Sequence, residues 1–313
     1  MSVLSAKHFH DEKAAYAFVE ARVWPEGPVC PHCGCFERIG LLKGKSTRIG
    51  VRKCYDCRKP FTVKVGTIFE ASNIKLHVWL QAMYLLCSSK KGFSANQLHR
   101  TLGVTLKTAW FMAHRVREAM RSGDLAPFGV NGGAVEVDET YIGREPGKPV
   151  KRAFHHKMKV LTLVDRETGR ARSMVVDNIR PATIAPIVME NLAKEARLMT
   201  DEAGHYMKVG KEFAEHGVVH HGRDEYVNPT DRTIHTNTIE GYFSVFKRGM
   251  KGVYQHCGKQ HLHRYLAEYD FRYSERAALG VSDLARTDKV ISGVVGKRLK
   301  YRDSLGPALA SGE

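Results

Sequence analysis

Residues 134–142 read AVEVDETYI. Apolar and polar side chains alternate along the run, the period of a half-buried strand, and one polar position is Asp138. A basic, Gly/Pro-rich loop follows over residues 143–157. Residues 159–164 and 171–176 flank the turn DRETGR and predict a hairpin. Downstream, the patterns predict a helix over 183–196, a short strand over 197–201 ending in Asp201, a helix over 206–216 and a short strand over 217–220. After a loop at 226–236, Asn237 or Thr238 opens a helix over 239–250, and a last helix covers 259–276. Strand, hairpin, helix, strand, helix, strand, helix is the element order of a ribonuclease H-like α/β fold, a mixed sheet with flanking helices.

That fold delivers acids from distant chain positions to one end of its sheet. Asp138 lies on the first strand, Asp201 at the end of a later one, and Glu240 in the first turn of a helix. Three converging carboxylates suit two magnesium ions, hard cations that prefer carboxylate oxygen and water, with manganese as a substitute. Such a pair drives in-line displacement at phosphorus. Glu136, Glu139 and Glu202 are rival acids that read as surface residues, and Asp165 reads as serving the hairpin turn. On a helix, positions 240, 243, 244 and 247 share a face. Lys247 therefore lies on the side of Glu240, with Arg248 beside it, where a cation can bind a DNA backbone.

The chain has 313 residues, enough for about two domains. At 43% hydrophobic and 26% charged it can bury a core, which excludes disordered and fibrous classes. No apolar run approaches a membrane span, and the N-terminus lacks a secretory pattern, so a cytoplasmic, nucleoid-associated protein is expected. Lys and Arg outnumber Asp and Glu by 49 to 33, a net charge of +16. Residues 1–134 hold +11 of it, whereas residues 135–276 carry 23 basic and 20 acidic side chains. A basic front end and a balanced, acid-rich middle suggest a phosphate-binding part joined to a part that uses carboxylates. The expected division is 1–70, 71–130, 131–276 and a tail at 277–313.

Seven cysteines and no secretory signal argue against a disulfide framework. Cys30, Cys33, Cys54 and Cys57 form two Cys-x-x-Cys pairs with 20 residues between them, the spacing of a structural zinc ribbon. Strand-like runs at 38–42 and 48–52 lie between the pairs. Cys35 is spare, and Cys87 reads as core. Further on, Ser94 and Thr105 are candidate N-caps for helices either side of Gly103-Val104, a helix-turn-helix-like segment. Leu98, Leu102, Val104 and Ala109 would pack the pair, leaving Lys107, Thr108, Arg115 and Arg117 for DNA.

Taken together, CPHCG, CYDC, GTIFEASNIKLHVWLQAMY, QLHRTLGVTLKTAW, VEVDETYIG, MTDEAGHY and HTNTIEGYFSVFKRGMKGVY resemble the ISXO-two-like insertion-sequence transposases, in order and spacing, from about residue 14 to 276. These are DDE-type enzymes with an N-terminal zinc ribbon. The resemblance implies that Asp138, Asp201 and Glu240 are the catalytic carboxylates and magnesium ligands. It implies that Lys247 belongs to the site and that His235 and Asn237 lie close to it. Where relatives often carry Trp after Glu-Gly, this chain has Tyr242-Phe243. The implied activity is binding of terminal inverted repeats in double-stranded DNA, cleavage of 3′ ends and their joining to target DNA, by a homodimer on DNA. A zinc-ribbon regulator and a ribonuclease H-like nuclease or resolvase are the rival classes.

Overall fold

The computed structural model describes residues 2–150 and 154–300, so residues 151–153 of the basic loop and 301–313 of the tail lie outside the described residues. The chain divides into two compact units, one of residues 1–89, 93–121 and 281–313, the other of residues 90–92 and 122–280.

In the first unit, Asp11 caps α1 (Glu12–Val23), its Oδ1 accepting from the Ala14 amide at 2.7 Å. Three short antiparallel strands follow, β1 (Ile39–Leu41), β2 (Arg52–Cys54) and β3 (Pro60–Phe61). The second strand begins at Arg52 rather than spanning 48–52, because Gly50 at φ 72 breaks extended backbone just before it. α2 (Leu76–Ser88) is buried on most sides, and Trp79, Leu80, Leu86 and Cys87 contribute to the core. Each large apolar side chain there is worth roughly 1.5–3 kcal/mol. α3 (Ala95–Leu102) starts in a reciprocal Ser94–Gln97 capping box, Gly103 turns the chain at φ 65, and Thr105 caps α4 (Leu106–Met120). Leu98 and Ala109 are buried between them, and Leu102 and Val104 are half-buried. α8 (Asp283–Ser292) packs on α1, α2 and α4. It is tied there by Arg22 Nε to Asp288 Oδ1 at 2.6 Å and by the Arg286 guanidinium donating to the Cys87 carbonyl at 2.7 Å.

The second unit holds a five-stranded sheet of β4 (Ala134–Ile142), β5 (Met158–Asp165), β6 (Ala171–Val176), β7 (Arg197–Asp201) and β8 (Glu215–Val219), in the order β6-β5-β4-β7-β8. β4, β5 and β6 pair antiparallel, while β7 runs parallel to β4 and β8 parallel to β7. This is the mixed sheet of a ribonuclease H-like fold. Alternation sorts its faces. Val135, Val137, Leu161, Leu163 and Leu198 pack with α5 (Pro181–Asn191). On the other face Val160 and Val164 pack with α6 (Asn237–Gly249) and α7 (Lys259–Ser274).

Two expected helices are shorter or absent. α5 stops at Asn191, not 196, because the chain there turns extended: the Asn191 carbonyl accepts from the Phe128 amide and the Ala193 amide donates to the Phe128 carbonyl. The helix expected over 206–216 is only a short 3₁₀ turn, Val209–Glu212. Residues 215 and 216 belong to β8, drawn into the ladder by pairing with Arg197 and Leu198 and by Arg197 Nε against Glu215 Oε2 at 2.5 Å.

A polar clamp fixes α6 and α7 to the sheet. Asp270 of α7 accepts from the Ser173 amide at 2.8 Å, from the Ser173 hydroxyl at 2.6 Å and from the Tyr242 hydroxyl at 2.6 Å. At the end of α6 a Cβ on Gly249 would overlap the Tyr269 hydroxyl and the Lys91 carbonyl, so only glycine permits that approach. Burial pushes the Asp270 carboxyl up to about 6, against the pull of its three donors. The native state therefore keeps a proton between pH 4 and 6 that the unfolded chain releases. The contribution of this group to stability is largest below pH 4 and declines as pH rises to 6, by at most ~3 kcal/mol. Urea unfolding at pH 4, 5 and 6 should show the stability gap between wild type and Asp270→Asn shrinking across that window; a constant gap would contradict the assignment.

Candidate functional site

Glu136 and Asp138 are two apart on β4 and so share its α6-facing side. Glu136 is fully buried rather than at the surface. Its Oε1 takes Arg166 Nε at 2.6 Å and lies 3.3 Å from His235 Nδ1; its Oε2 accepts from the Ile239 amide at 2.8 Å. A carboxylate from the sheet thus supplies the acceptor at the N-terminus of α6, where no cap side chain does so. Arg166 also donates to the carbonyls of Thr233 and His235 at 2.6 Å each, fixing the turn into the helix.

The parallel β4–β7 register pairs Glu136 with Met199. Carried two residues on, it sets Asp138 beside Asp201 on the same face, about 4.8 Å between strands. Burial pushes Asp138 well above the ordinary carboxylate range, and the charges of Glu139 and Asp201 push it further, while Lys247 pulls it back. Asp201 is raised too, chiefly by burial, although its Oδ1 accepts from the Ala203 amide at 3.0 Å. Glu240, in the first turn of α6, is half-exposed. Its Oε1 lies 3.7 Å from His221 Nε2 and 3.4 Å from Thr236 Oγ1. Glu202 in turn holds His221 by accepting from the amides of His221 and Gly222 at 2.8 and 2.9 Å. The structure therefore joins Asp138 to Asp201 but leaves Glu240 turned toward His221. Among the described residues, the carboxylates do not form one set of ligand atoms within 4.8 Å of one another.

Glu139 points to the opposite face, where its Oε2 takes the Tyr206 hydroxyl at 2.6 Å and lies 3.3 Å from His205 Nε2. Burial opposes its charge, yet these two partners hold its pKa below the ordinary value. Asp165 accepts from the Thr168 amide within the hairpin and from the Gly129 amide. Lys247 is half-buried, its Nζ 5.6 Å from the Phe243 ring centre; Arg248 and Asn237 are exposed, and His235 is half-buried on Glu136.

In the other unit, Lys107 is exposed, and Thr108 closes the α4 cap, its amide donating to Thr105 Oγ1 at 3.2 Å. Arg115 and Arg117 do not face solvent, contrary to the expectation that they bind DNA. The Arg115 guanidinium donates to the carbonyls of Ile68, Glu70 and Leu299, so its charge ties the first unit together internally. Arg117 is only 2% exposed.

Cys30, Cys33, Cys54 and Cys57 bring their Sγ atoms within 4.8 Å of one another. Cys30 to Cys57 is 3.7 Å and Cys33 to Cys54 is 3.6 Å. Those separations match the roughly 3.8 Å edge of a tetrahedron with Zn–S bonds near 2.3 Å. Each knuckle closes on a left-handed residue, Gly34 at φ 77 and Arg58 at φ 61. The Cys57 amide, aided by that of Asp56, draws the Cys54 thiol down to about 7, toward the thiolate a metal needs. The four thiols form a structural zinc site with no position left open for catalysis. Cys35 lies near Cys54 and Asp56 in a second grouping.

A four-thiolate ribbon and a ribonuclease H-like sheet with a pair of half-buried acids are the features of zinc-ribbon proteins of the DDE nuclease and transferase class. Comparison with known proteins agrees. The profile of the ISXO2-like transposase domain matches residues 130–274, and that of the transposase zinc-ribbon domain matches residues 10–60. A Halobacterium salinarum protein named "Uncharacterized protein in transposable element ISH50" is 27% identical over 288 residues, covering 86% of this chain and 93% of its own length. The chain belongs to the ISXO2-like transposases, a family whose substrate is DNA. None of the described helices is long and apolar enough to cross a membrane.

Purified protein should carry one zinc per chain by elemental analysis. Cys54→Ser should lose it and lower the melting temperature of the first unit, whereas Cys35→Ser should retain it. Zinc kept in Cys54→Ser would refute the four-thiolate site.

Proposed function

We propose that the chain cleaves the 3′ ends of its own insertion sequence and joins them to target DNA. The observation that carries this reading is the Asp138–Asp201 pair, two half-buried acids on adjacent strands, each with its pKa raised. Like charges held together in a partly desolvated site are stabilised by a cation. The donor set, all carboxylate, fits magnesium or manganese. Asp138, Asp201 and Glu240 would hold the metal. Bound there, two magnesium ions supply activation of a water or 3′-hydroxyl and stabilisation of the leaving oxygen.

The chain's own groups do the rest. Glu136 anchors α6 and so fixes where Glu240 starts. His221, held by Glu202, keeps the Glu240 carboxylate close to the pair while leaving it able to turn inward. Lys247, the cation whose charge reaches Asp138, binds the phosphate being attacked. Arg248, Asn237 and His235 line the DNA path beside it. The ribbon of residues 1–70 and the helical segment of 71–130, with Lys107 and Thr108 at the start of α4, bind the terminal inverted repeats. Residues 131–276 carry the chemistry. Two ends must meet for joining, so the active form is a homodimer on DNA, in the cytoplasm at the nucleoid.

Labelled DNA bearing an element end, incubated with magnesium and protein, should yield nicks at the 3′ end and joined products. Asp201→Asn should abolish both. Lys247→Ala should slow cleavage by roughly 100-fold, as loss of a transition-state charge contact does, with less than a threefold change in DNA affinity. Nicks without joining would leave a nuclease, and binding without nicks in wild type would leave a regulator.

A further inference from the structure

Close to the paired aspartates the second unit has a cavity of about 510 Å³ that shares only Lys247 with the proposed chemistry. This lies within the range of small-molecule clefts, roughly 300–1,000 Å³. The end of β4 (Tyr141, Ile142), the residues before and at the start of β5 (Phe154, Lys157, Met158) and the C-terminal end of α6 (Lys247, Met250, Lys251, Gln255) line it.

Its lining combines flat apolar surface with cations. The rings of Tyr141 and Phe154 stack at 4.6 Å with 20° between their planes, and Phe154 remains 50% exposed. Lys157 Nζ stands 5.0 Å from the Phe154 ring centre. A half-exposed phenyl ring backed by Tyr141, in a cavity that three lysines also line, is chemistry that suits a nucleobase with its phosphates: the base stacks, and the cations meet the backbone. Glu139 also lines the cavity, its carboxylate engaged by the Tyr206 hydroxyl and His205, so one acid stands against the three lysines of the lining.

A second observation is independent of the rings. α6 runs into a π-helical turn, Met250–Tyr254, closed by the Gln255 amide donating to the Met250 carbonyl at 2.8 Å. Gln255 sits at φ 56, ψ −53, outside the left-handed well as well as the common ones. Strain at a non-glycine residue persists where surrounding structure imposes it, and π-turns gather at functional sites. Here the strained residue presents to the cavity an amide side chain, which can both donate to and accept from a base edge.

We propose that this cavity receives an unpaired nucleobase of the DNA strand being cut, stacked on Phe154, read by Gln255, and with its phosphates on Lys247 and Lys251. The proposal rests on the transposase reading for the identity of the strand. A base held here is extruded from the duplex next to the cut phosphate, which frees that phosphate to enter the acidic site.

The test uses the full chain in an Asp201→Asn background, so that cleavage plays no part. Two labelled 20-base-pair duplexes of one sequence are compared, one fully paired and one with a single unpaired 2-aminopurine at its centre. The protein should bind the second about tenfold more tightly, the equivalent of ~1.4 kcal/mol, and quench its fluorescence. Phe154→Ala, which removes an exposed ring, should abolish both effects without changing affinity for the paired duplex. Gln255→Gly, which relieves the backbone, should reduce the preference without loss of thermal stability. Equal binding of the two duplexes, or a preference surviving Phe154→Ala, overturns the proposal. So does displacement of the unpaired base by micromolar free deoxynucleoside monophosphate, which would make the cavity a nucleotide site. Wild type that cuts and joins yet shows no preference sinks the cavity alone; a clear preference without cutting sinks the chemistry and keeps the cavity.

Discussion

Glu136 has no exposed surface, and its two oxygens are taken by the Arg166 guanidinium and by the amide near the start of α6. A carboxylate buried this deeply is costly unless both oxygens are satisfied. Here the partners also position the site. They dock the N-terminus of α6 on the strand that carries Asp138, two residues further along the same face. Arg166 reaches on to the backbone of Thr233 and His235, so the loop entering the helix is fixed by the same charge. Remove that carboxylate and the helix N-terminus, its dipole and Glu240 all lose their reference to the sheet. The repulsive pair Asp138–Asp201 could not hold itself in place; the backbone register of β4 with β7 and the Glu136 anchor do so on its behalf.

The same logic explains what could and could not be read from the chain. Strands with period-two alternation announced themselves, and Asp138 stood out within one of them. The Cys-x-x-Cys pairs were legible because two thiolates on one turn need no tertiary information. Glu136 was not legible as an anchor. Its alternation places it on the face of Asp138, but its partner amide is Ile239, more than a hundred residues away. The link from Glu202 through His221 to Glu240 is invisible for the same reason: no local pattern encodes those contacts. The missing helix at 206–216 is a case of tertiary override, since its residues are helix-compatible but two of them are claimed by the β8 ladder and its ion pair with Arg197.

Charge counting was the less reliable guide. The first 134 residues carry a large positive excess, and a DNA-contact role for Arg115 and Arg117 follows only if they face water. Arg115 instead caps the carbonyls of Ile68 and Glu70, a structural use of a fork of donors that lysine could not match. Arg286 does the same for Cys87. Interior guanidinium groups still add to the long-range field that draws DNA in, but they cannot bond to a phosphate. Net charge therefore speaks to attraction, and exposure must be consulted before it speaks to contact.

α6 then ties the separate features into one device. Glu240 stands in its first turn, Lys247 seven residues on, and the π-turn begins where the helix ends at Gly249. Seven residues of α-helix span about 10.5 Å, roughly three base steps of duplex at 3.4 Å each. A cation and a cavity at that distance from an acidic centre would meet DNA within a few nucleotides of the phosphate at the acids, not at a remote site. The glycine at the helix end lets Tyr269 and the Lys91 carbonyl close upon it, so the π-turn and the strained Gln255 beyond it are built on a tightly packed base. A helix anchored by a buried carboxylate at one end and by a side-chain-free contact at the other has little freedom to shift. That rigidity is what a site would need if Glu240, Lys247 and the cavity are to keep their spacing, since all three depend on this one element.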